Sequence, residues 1–267
     1  MTGVISVQHS RNGSGATAIA LTLAYRLSLI GRTLYVESDF LNPVIEQFIP
    51  SRELIHRWSN DWIIGETSLN ESCISLEKKL GSIFKNFYVL PANASEDARI
   101  RMEILDAERD DRILRTLEKE DWIVEGRPLD YVVIDTPSWM HYIPVAVSYV
   151  SNYVVYVLKP SMYELSIFED KLERIYSNFI SIIRPLINMY NRESESDKRF
   201  EKIFRERVGI EPVKIPYMQE MASGISLERI FSKDNKLQDY LIEIVNEAAG
   251  RTLASNKHLH DESITLF

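Results

Sequence analysis

Cysteine is almost missing from this chain. Cys73 stands alone among 267 residues, which excludes an intramolecular disulfide framework and an all-cysteine metal site and suits a reducing compartment. Positive charge is short as well: 31 Lys+Arg face 39 Asp+Glu, a formal net charge of −8. That balance argues against a surface coated for nucleic acid while leaving room for a local basic patch. Long apolar runs are also lacking. Met1-Thr2-Gly3 passes straight into Val4-Ile5-Ser6-Val7 without the basic start and apolar stretch of a secretion signal, so a cytoplasmic location is expected. The most apolar later segment, Tyr142 to Leu158, is interrupted by Pro144, Ser148, Ser151 and Asn152. It reads as a buried helix leading into a strand, not as a membrane span. No repeat, low-complexity tract or Pro/Gly/Ser linker divides the chain. Residues 1–267 are therefore expected to form one domain, with 255–267 a frayed tail.

What is present is 45% hydrophobic and 26% charged residues, an ordinary globular balance. Short β-rich apolar runs alternate with helical patterns, which predicts an α/β fold: a doubly wound, mostly parallel sheet with helices on both faces. Strands are expected near Val4–Gln8, Thr33–Glu37, Phe87–Leu90, Tyr131–Asp135, Tyr153–Leu158, Leu186–Met189 and Val213–Ile215. Helices are expected at Ala16–Leu29, Asp97–Lys119, Glu164–Ile182, Asp197–Val208 and Lys236–Ala249.

Between the first strand and first helix lies Ser10-Arg11-Asn12-Gly13-Ser14-Gly15-Ala16-Thr17-Ala18. Backbone N–H groups and a helix N-terminus at such a turn form an anion cradle. Gly13 and Gly15 allow close approach of phosphate, and Thr17 offers a hydroxyl to Mg²⁺. The pattern G-x-x-x-x-G-K-[ST] fails twice, with Ser10 at the first glycine and Ala16 at the lysine. Taken alone, such a turn is more often a plain strand–helix connection.

In context this stretch resembles the loop KGGxGK[ST] of the ParA/MinD family of deviant Walker A ATPases. Arg11 falls on the family's signature lysine and Ala16 on its Walker lysine. The resemblance continues at Tyr35-Val36-Glu37-Ser38-Asp39, which matches a strand ending in D-x-D, and at Asp130-Tyr131-Val132-Val133-Ile134-Asp135-Thr136-Pro137, close to the Walker B phrase DYVIIDTP. It runs on through Leu186-Ile187-Asn188-Met189 and Ile215-Pro216-Tyr217. Such a resemblance implies a P-loop NTPase fold that binds Mg²⁺-ATP or ADP through Asn12, Gly13, Ser14, Gly15, Ala16, Thr17 and Ala18. It puts Asn188 and Pro216 near adenine. It also implies Mg²⁺ held by Thr17 and, through water, by Asp135, with attacking water oriented by Asp39. Arg11 is expected to reach a partner's phosphate across a homodimer.

Each residue has a plainer reading too: Asp135 as a helix cap, Asp39 as a turn residue, Asn188 as a polar strand end, Arg11 as a solvated loop arginine. Ala16 supplies no donor and no charge, so binding is expected to weaken by about 1.5–3 kcal/mol and hydrolysis to be impaired. It fits either a chain that binds nucleotide without turnover or a lysine replaced in this chain.

The resemblance implies a nucleotide-dependent homodimer acting in intracellular positioning or DNA partition, reset by a stimulating ParB-like or analogous partner. The alternatives are a non-catalytic switch or scaffold of the same fold, or a regulator of division or a surface appendage without DNA binding. Lys198, Arg199, Lys202 and Arg205 lie in a run of five basic residues over about three helical turns. That run reads as a DNA-backbone patch or as a solvated helix face. His258-x-His260 lacks a third metal ligand. The last residues are acidic and lack the basic face of a membrane-binding helix, so no membrane partner is expected.

Overall fold

Eight strands pair into one sheet in the order β10-β9-β8-β1-β7-β2-β4-β3, with every neighbour parallel except the β3–β4 pair. They are β1 Gly3–His9, β2 Thr33–Glu37, β3 Ile74–Ser75, β4 Phe87–Leu90, β7 Tyr131–Asp135, β8 Tyr153–Leu158, β9 Ile182–Tyr190 and β10 Val213–Pro216. β5 (Ile123–Val124) and β6 (Arg127–Pro128) make a separate hairpin. The computed structural model describes residues 2–49, 55–103, 107–138, 142–179, 182–219, 230–232 and 234–250. The expected tail at 255–267, with His258 and His260, lies outside the described residues.

The central strands are buried along their whole length because helices cover both faces. Successive side chains alternate between two cores. Ile5, Val7, Tyr35, Val133 and Val155 pack with helix α1 (Ala16–Ser28) and with α10 (Lys236–Tyr240) and the helix at 242–250. Their neighbours Val4, Leu34, Val36, Val132 and Ile134 face the other way, against α2 (Ser59–Ile63), α6 (Ala107–Lys119) and α7 (Tyr142–Val150). Under β8 and β9, α8 (Met162–Arg174) and α9 (Glu195–Val208) close a third cluster, where Phe168 stacks on Phe204 at 6.0 Å. Buried Gln8 is held by a complete set of partners. Its amide nitrogen donates to Pro144 O at 2.9 Å and its oxygen accepts from the Tyr176 hydroxyl at 2.6 Å.

Three expected helices differ, among them Lys236–Ala249, which is broken at Leu241 into α10 and the helix at 242–250. The stretch Asp97–Lys119 is two elements, α5 (Glu96–Glu103) and α6. The helix expected over Glu164–Ile182 stops at Arg174, and β9 already begins at Ile182. Pro185 argues against a strand there, since proline cannot complete a ladder. The register resolves this. Ile182 N–H donates to Asn152 O beside β8, so Pro185 turns to the opposite edge, and β10 joins only from Leu186 onward. The short helices α3 (Leu69–Ser72) and α4 (Leu76–Leu80) rest on their caps, Ser68 accepting from Glu71 N and Ser75 from Lys78 N. Among the described residues no helix is long and apolar enough to cross a membrane.

Candidate nucleotide site

The C-terminal ends of β1, β2, β9 and β10 frame a cleft of about 410 Å³, the place where open parallel sheets take ligands; Asp135 of β7 is not in its lining and lies behind Thr17, whose hydroxyl it meets. The cleft wall includes every expected loop residue from Asn12 to Ala18, together with Asp39, Asn188 and Pro216. Gly13 (φ +75°) and Gly15 (φ +88°) turn the loop in conformations that favour glycine. At Gly15 close approach adds a second reason. A Cβ there would sit 2.3 Å from Asn188 Nδ2, which itself donates to Ser14 O at 2.7 Å. Asn188 thus ties the end of β9 to the loop while lining the cleft. Next to it, Met189 holds φ +59°, a strained value of the kind that gathers at functional sites.

Helix α1 starts with no side-chain cap on Gly15 and no acidic residue in its first turn. Its first N–H groups lack intrahelical partners and carry the positive end of the helix dipole. Beside them Ser14 Oγ is buried with no hydrogen-bond partner among the described residues. The loop is braced from behind by His9, whose Nδ1 lies 3.0 Å from Arg11 O and Nε2 3.0 Å from Thr136 O. Burial lowers the His9 pKa. Asn12 Oδ1 accepts from Ser138 Oγ at 2.7 Å, a further tie to the end of β7.

Opposite the loop stand three buried acids. Asp135 ends β7 in register with Glu37 of β2. Its Oδ2 accepts from the Tyr35 hydroxyl at 3.0 Å. The Thr17 hydroxyl adjoins the carboxyl and favours its charged form, yet no donor reaches Oδ1 with hydrogen-bonding geometry among the described residues. Burial, with the Asp39 charge nearby, raises its pKa to about 7. A buried oxygen without a partner, beside a hydroxyl and under an anion cradle, fits a hydrated divalent cation. Glu37 does something else. It accepts the backbone N–H groups of Val44, Ile45 and Ala92, so it staples two loops to the strand end, although burial raises its pKa to about 8. Asp39 accepts from Leu41 N at 3.2 Å and Asn42 Nδ2 at 3.5 Å while lining the cleft, which combines its turn role with its place at the site.

Arg11 is exposed, lies outside the cleft lining although its neighbour Asn12 is part of it, and forms no ion pair among the described residues. Ala16 is buried against the cleft wall. Sequence reasoning missed Ser14's free hydroxyl, the His9 brace, the Glu37 staple and Lys159, whose Nζ donates to Gly13 O at 3.4 Å. The last could have been found from strand order, since the residue after β8 must stand beside the residue after β1.

The expected DNA patch lies elsewhere, on α9. There Lys198 pairs with Glu195 (2.7 Å), Lys202 with Glu206 (3.9 Å), and Arg205 with Glu201 (2.6 Å) and Glu211 (2.7 Å). Arg199 forms no ion pair among the described residues, and the helix carries five basic and four acidic residues. Cys73 packs against the core with its thiol pKa pushed up by burial.

Sheet order and the strand–loop–helix at its centre give the fold seen in solved ParA/MinD ATPases. Solved structures agree. The septum site-determining protein MinD of Pyrococcus horikoshii, complexed with Mg-ADP, superposes with a TM-score of 0.72 at 18% identity, covering 94% of this chain and 99% of the other. The ATP complex of a Cyanothece McdA variant gives 0.73 at 15% identity, covering 93% and 96%. A plasmid partition protein of Borrelia burgdorferi bound to AMPPNP gives 0.69 at 16% identity, covering 92% and 98%. No protein-family model and no curated protein matches the chain.

Proposed function

We propose that this chain is a nucleotide-operated switch of the ParA/MinD type that takes Mg²⁺-ATP in the cleft and closes a homodimer around it. The observation that carries the reading is the set of unpaired polar groups at the cleft-lining loop and behind Thr17. The uncapped N–H groups of α1 and Ser14 Oγ face an anion position, and Asp135 Oδ1 beside Thr17 faces a cation position. Asn188 and Pro216 offer an edge and a wall for the base. Thr17 would ligate Mg²⁺ directly and Asp135 through water, which neutralises phosphate charge when the metal is bound.

Support for the dimer comes from the rim. Met162 and Tyr163, at the start of α8, and Tyr217, on the cleft wall, are exposed apolar side chains on the same sheet edge as Arg11. A partner surface meeting that edge would cover them and bring Arg11 to the partner's phosphate. The solved neighbours act, by their descriptions, in plasmid partition and septum siting. For this chain a positioning role with a stimulating partner protein follows by analogy. The paired charges of α9 give no support to DNA binding by that helix.

A second reading, a switch that binds ATP without turning it over, is favoured by Ala16 and by the engagement of Asp39 with Leu41 and Asn42. Calorimetry with Mg²⁺-AMPPNP, light scattering and phosphate release, run on this chain beside Ala16→Lys, test both. Saturable binding with a mass doubling supports the switch, and phosphate release only in Ala16→Lys selects the second reading. If neither version binds, the fold has been kept without its nucleotide.

A further inference from the structure

Residue 16 gives the cleft no charge, but an ammonium from another strand reaches Gly13 of the loop that lines it. β8 lies beside β1 with Val157 registered on His9, so Lys159 and Arg11 occupy matching positions two residues farther on. The Lys159 backbone is pinned there: its N–H donates to Glu164 Oε2 at 2.9 Å. Glu164 is fully buried, and its Oε1 has no hydrogen-bond partner among the described residues. The side chain of Lys159 is half-buried, forms no ion pair among the described residues, and ends 3.4 Å from Gly13 O. A neutral carbonyl at that distance is a weak partner for an ammonium.

We propose that Lys159 is the phosphate-binding lysine of this cleft, exchanging the Gly13 carbonyl for the phosphate chain of a nucleoside di- or triphosphate. This rests on the nucleotide reading above and deepens it. Only one long hydrogen bond is given up, and a charge-assisted bond to phosphate oxygen replaces it. The pinned backbone reduces the entropy lost on binding, since the flexible stem alone must be ordered. Ala16 then marks a cation moved from helix α1 to the end of β8, so the cleft keeps its lysine by a different route.

The test is calorimetric titration with AMPPNP and with ADP, in EDTA so that no metal contributes. The proteins are the full chain, Lys159→Met, Lys159→Arg, Ala16→Lys and the double variant Ala16→Lys/Lys159→Met. Lys159→Met is expected to weaken AMPPNP binding by about tenfold or more, Lys159→Arg to stay within a few-fold, and the double variant to regain binding. The ligand-free thermal midpoint of Lys159→Met should match the unsubstituted chain, since only the weak Gly13 contact is lost. Unchanged affinity in Lys159→Met overturns the inference, as does a loss of affinity that follows a loss of ligand-free stability. If Ala16→Lys binds and the unsubstituted chain does not, Lys159 fails as a substitute while the nucleotide reading stands. If neither binds, both fall.

Discussion

Among the described residues, the loop Ser10–Gly15 and helix α9 both present donors to anions, and they differ in what those donors already hold. On α9 nearly every cation has a carboxylate within reach on the same helix or on a neighbour. Exposed pairs of that sort add little stability and leave little field for a ligand. Around the loop there are few charges but many unpaired groups: uncapped N–H donors, Ser14 Oγ and Asp135 Oδ1. Buried polar groups without partners are costly, so their gathering at one point says more about binding than a count of basic residues does.

The largest way to break the loop side is Gly15→Ala. A Cβ at φ +88° and 2.3 Å from Asn188 Nδ2 must both strain the turn and dislodge β9's tether. Calorimetry should record a loss of nucleotide affinity of about 100-fold or more. Next comes Lys171, which shows what a cation costs when burial denies it a partner. It lies over the Tyr156 ring at 5.3 Å without an ion pair among the described residues, and burial lowers its pKa to about 8. The unfolded chain keeps that proton to higher pH than the folded one does, so stability should rise between about pH 8 and 10. Lys171→Met should remove that rise and raise stability at pH 7 by roughly 2 kcal/mol, read from urea unfolding at several pH values.

Asn188→Ala deletes the bond to Ser14 O and should cost about 1 kcal/mol of stability, with a several-fold loss of nucleotide affinity, read by thermal melting and titration. Smallest is the triple variant Lys198→Ala/Lys202→Ala/Arg205→Ala. It should shift stability by less than about 1 kcal/mol and leave retention on random duplex DNA unchanged. Sharpening the contrast from the other side, Glu195→Gln with Glu206→Gln frees Lys198 and Lys202. Salt-sensitive retention on DNA is expected to appear.

Much of the fold was legible because the central strands are short, β-branched and buried on both faces. Thr33–Glu37, Phe87–Leu90, Tyr131–Asp135 and Tyr153–Leu158 stand at their expected bounds. The start of β9 was hidden by Pro185, whose tolerance depends on where β10 begins. Elements α2 to α4 were hidden because helices of four or five residues have no periodicity to read and depend on caps and neighbours. At the site, the loop and Asp135 were visible as local patterns. Glu37 was visible only as an acid, and its work as a staple for Val44, Ile45 and Ala92 is tertiary. Lys159 escaped because its meaning lies in strand adjacency, 148 positions along the chain from Arg11.

The two rims of the sheet have a consequence for behaviour in crowded solution. At one rim β3 is two residues long and antiparallel, and at the other β10 is four residues long and ends in Pro216. Neither offers a run of open backbone on which a foreign strand could zip. Contact with a second copy at these two rims would then be written in side chains, which salt, pH and single substitutions can tune, and which can let go as readily as they take hold.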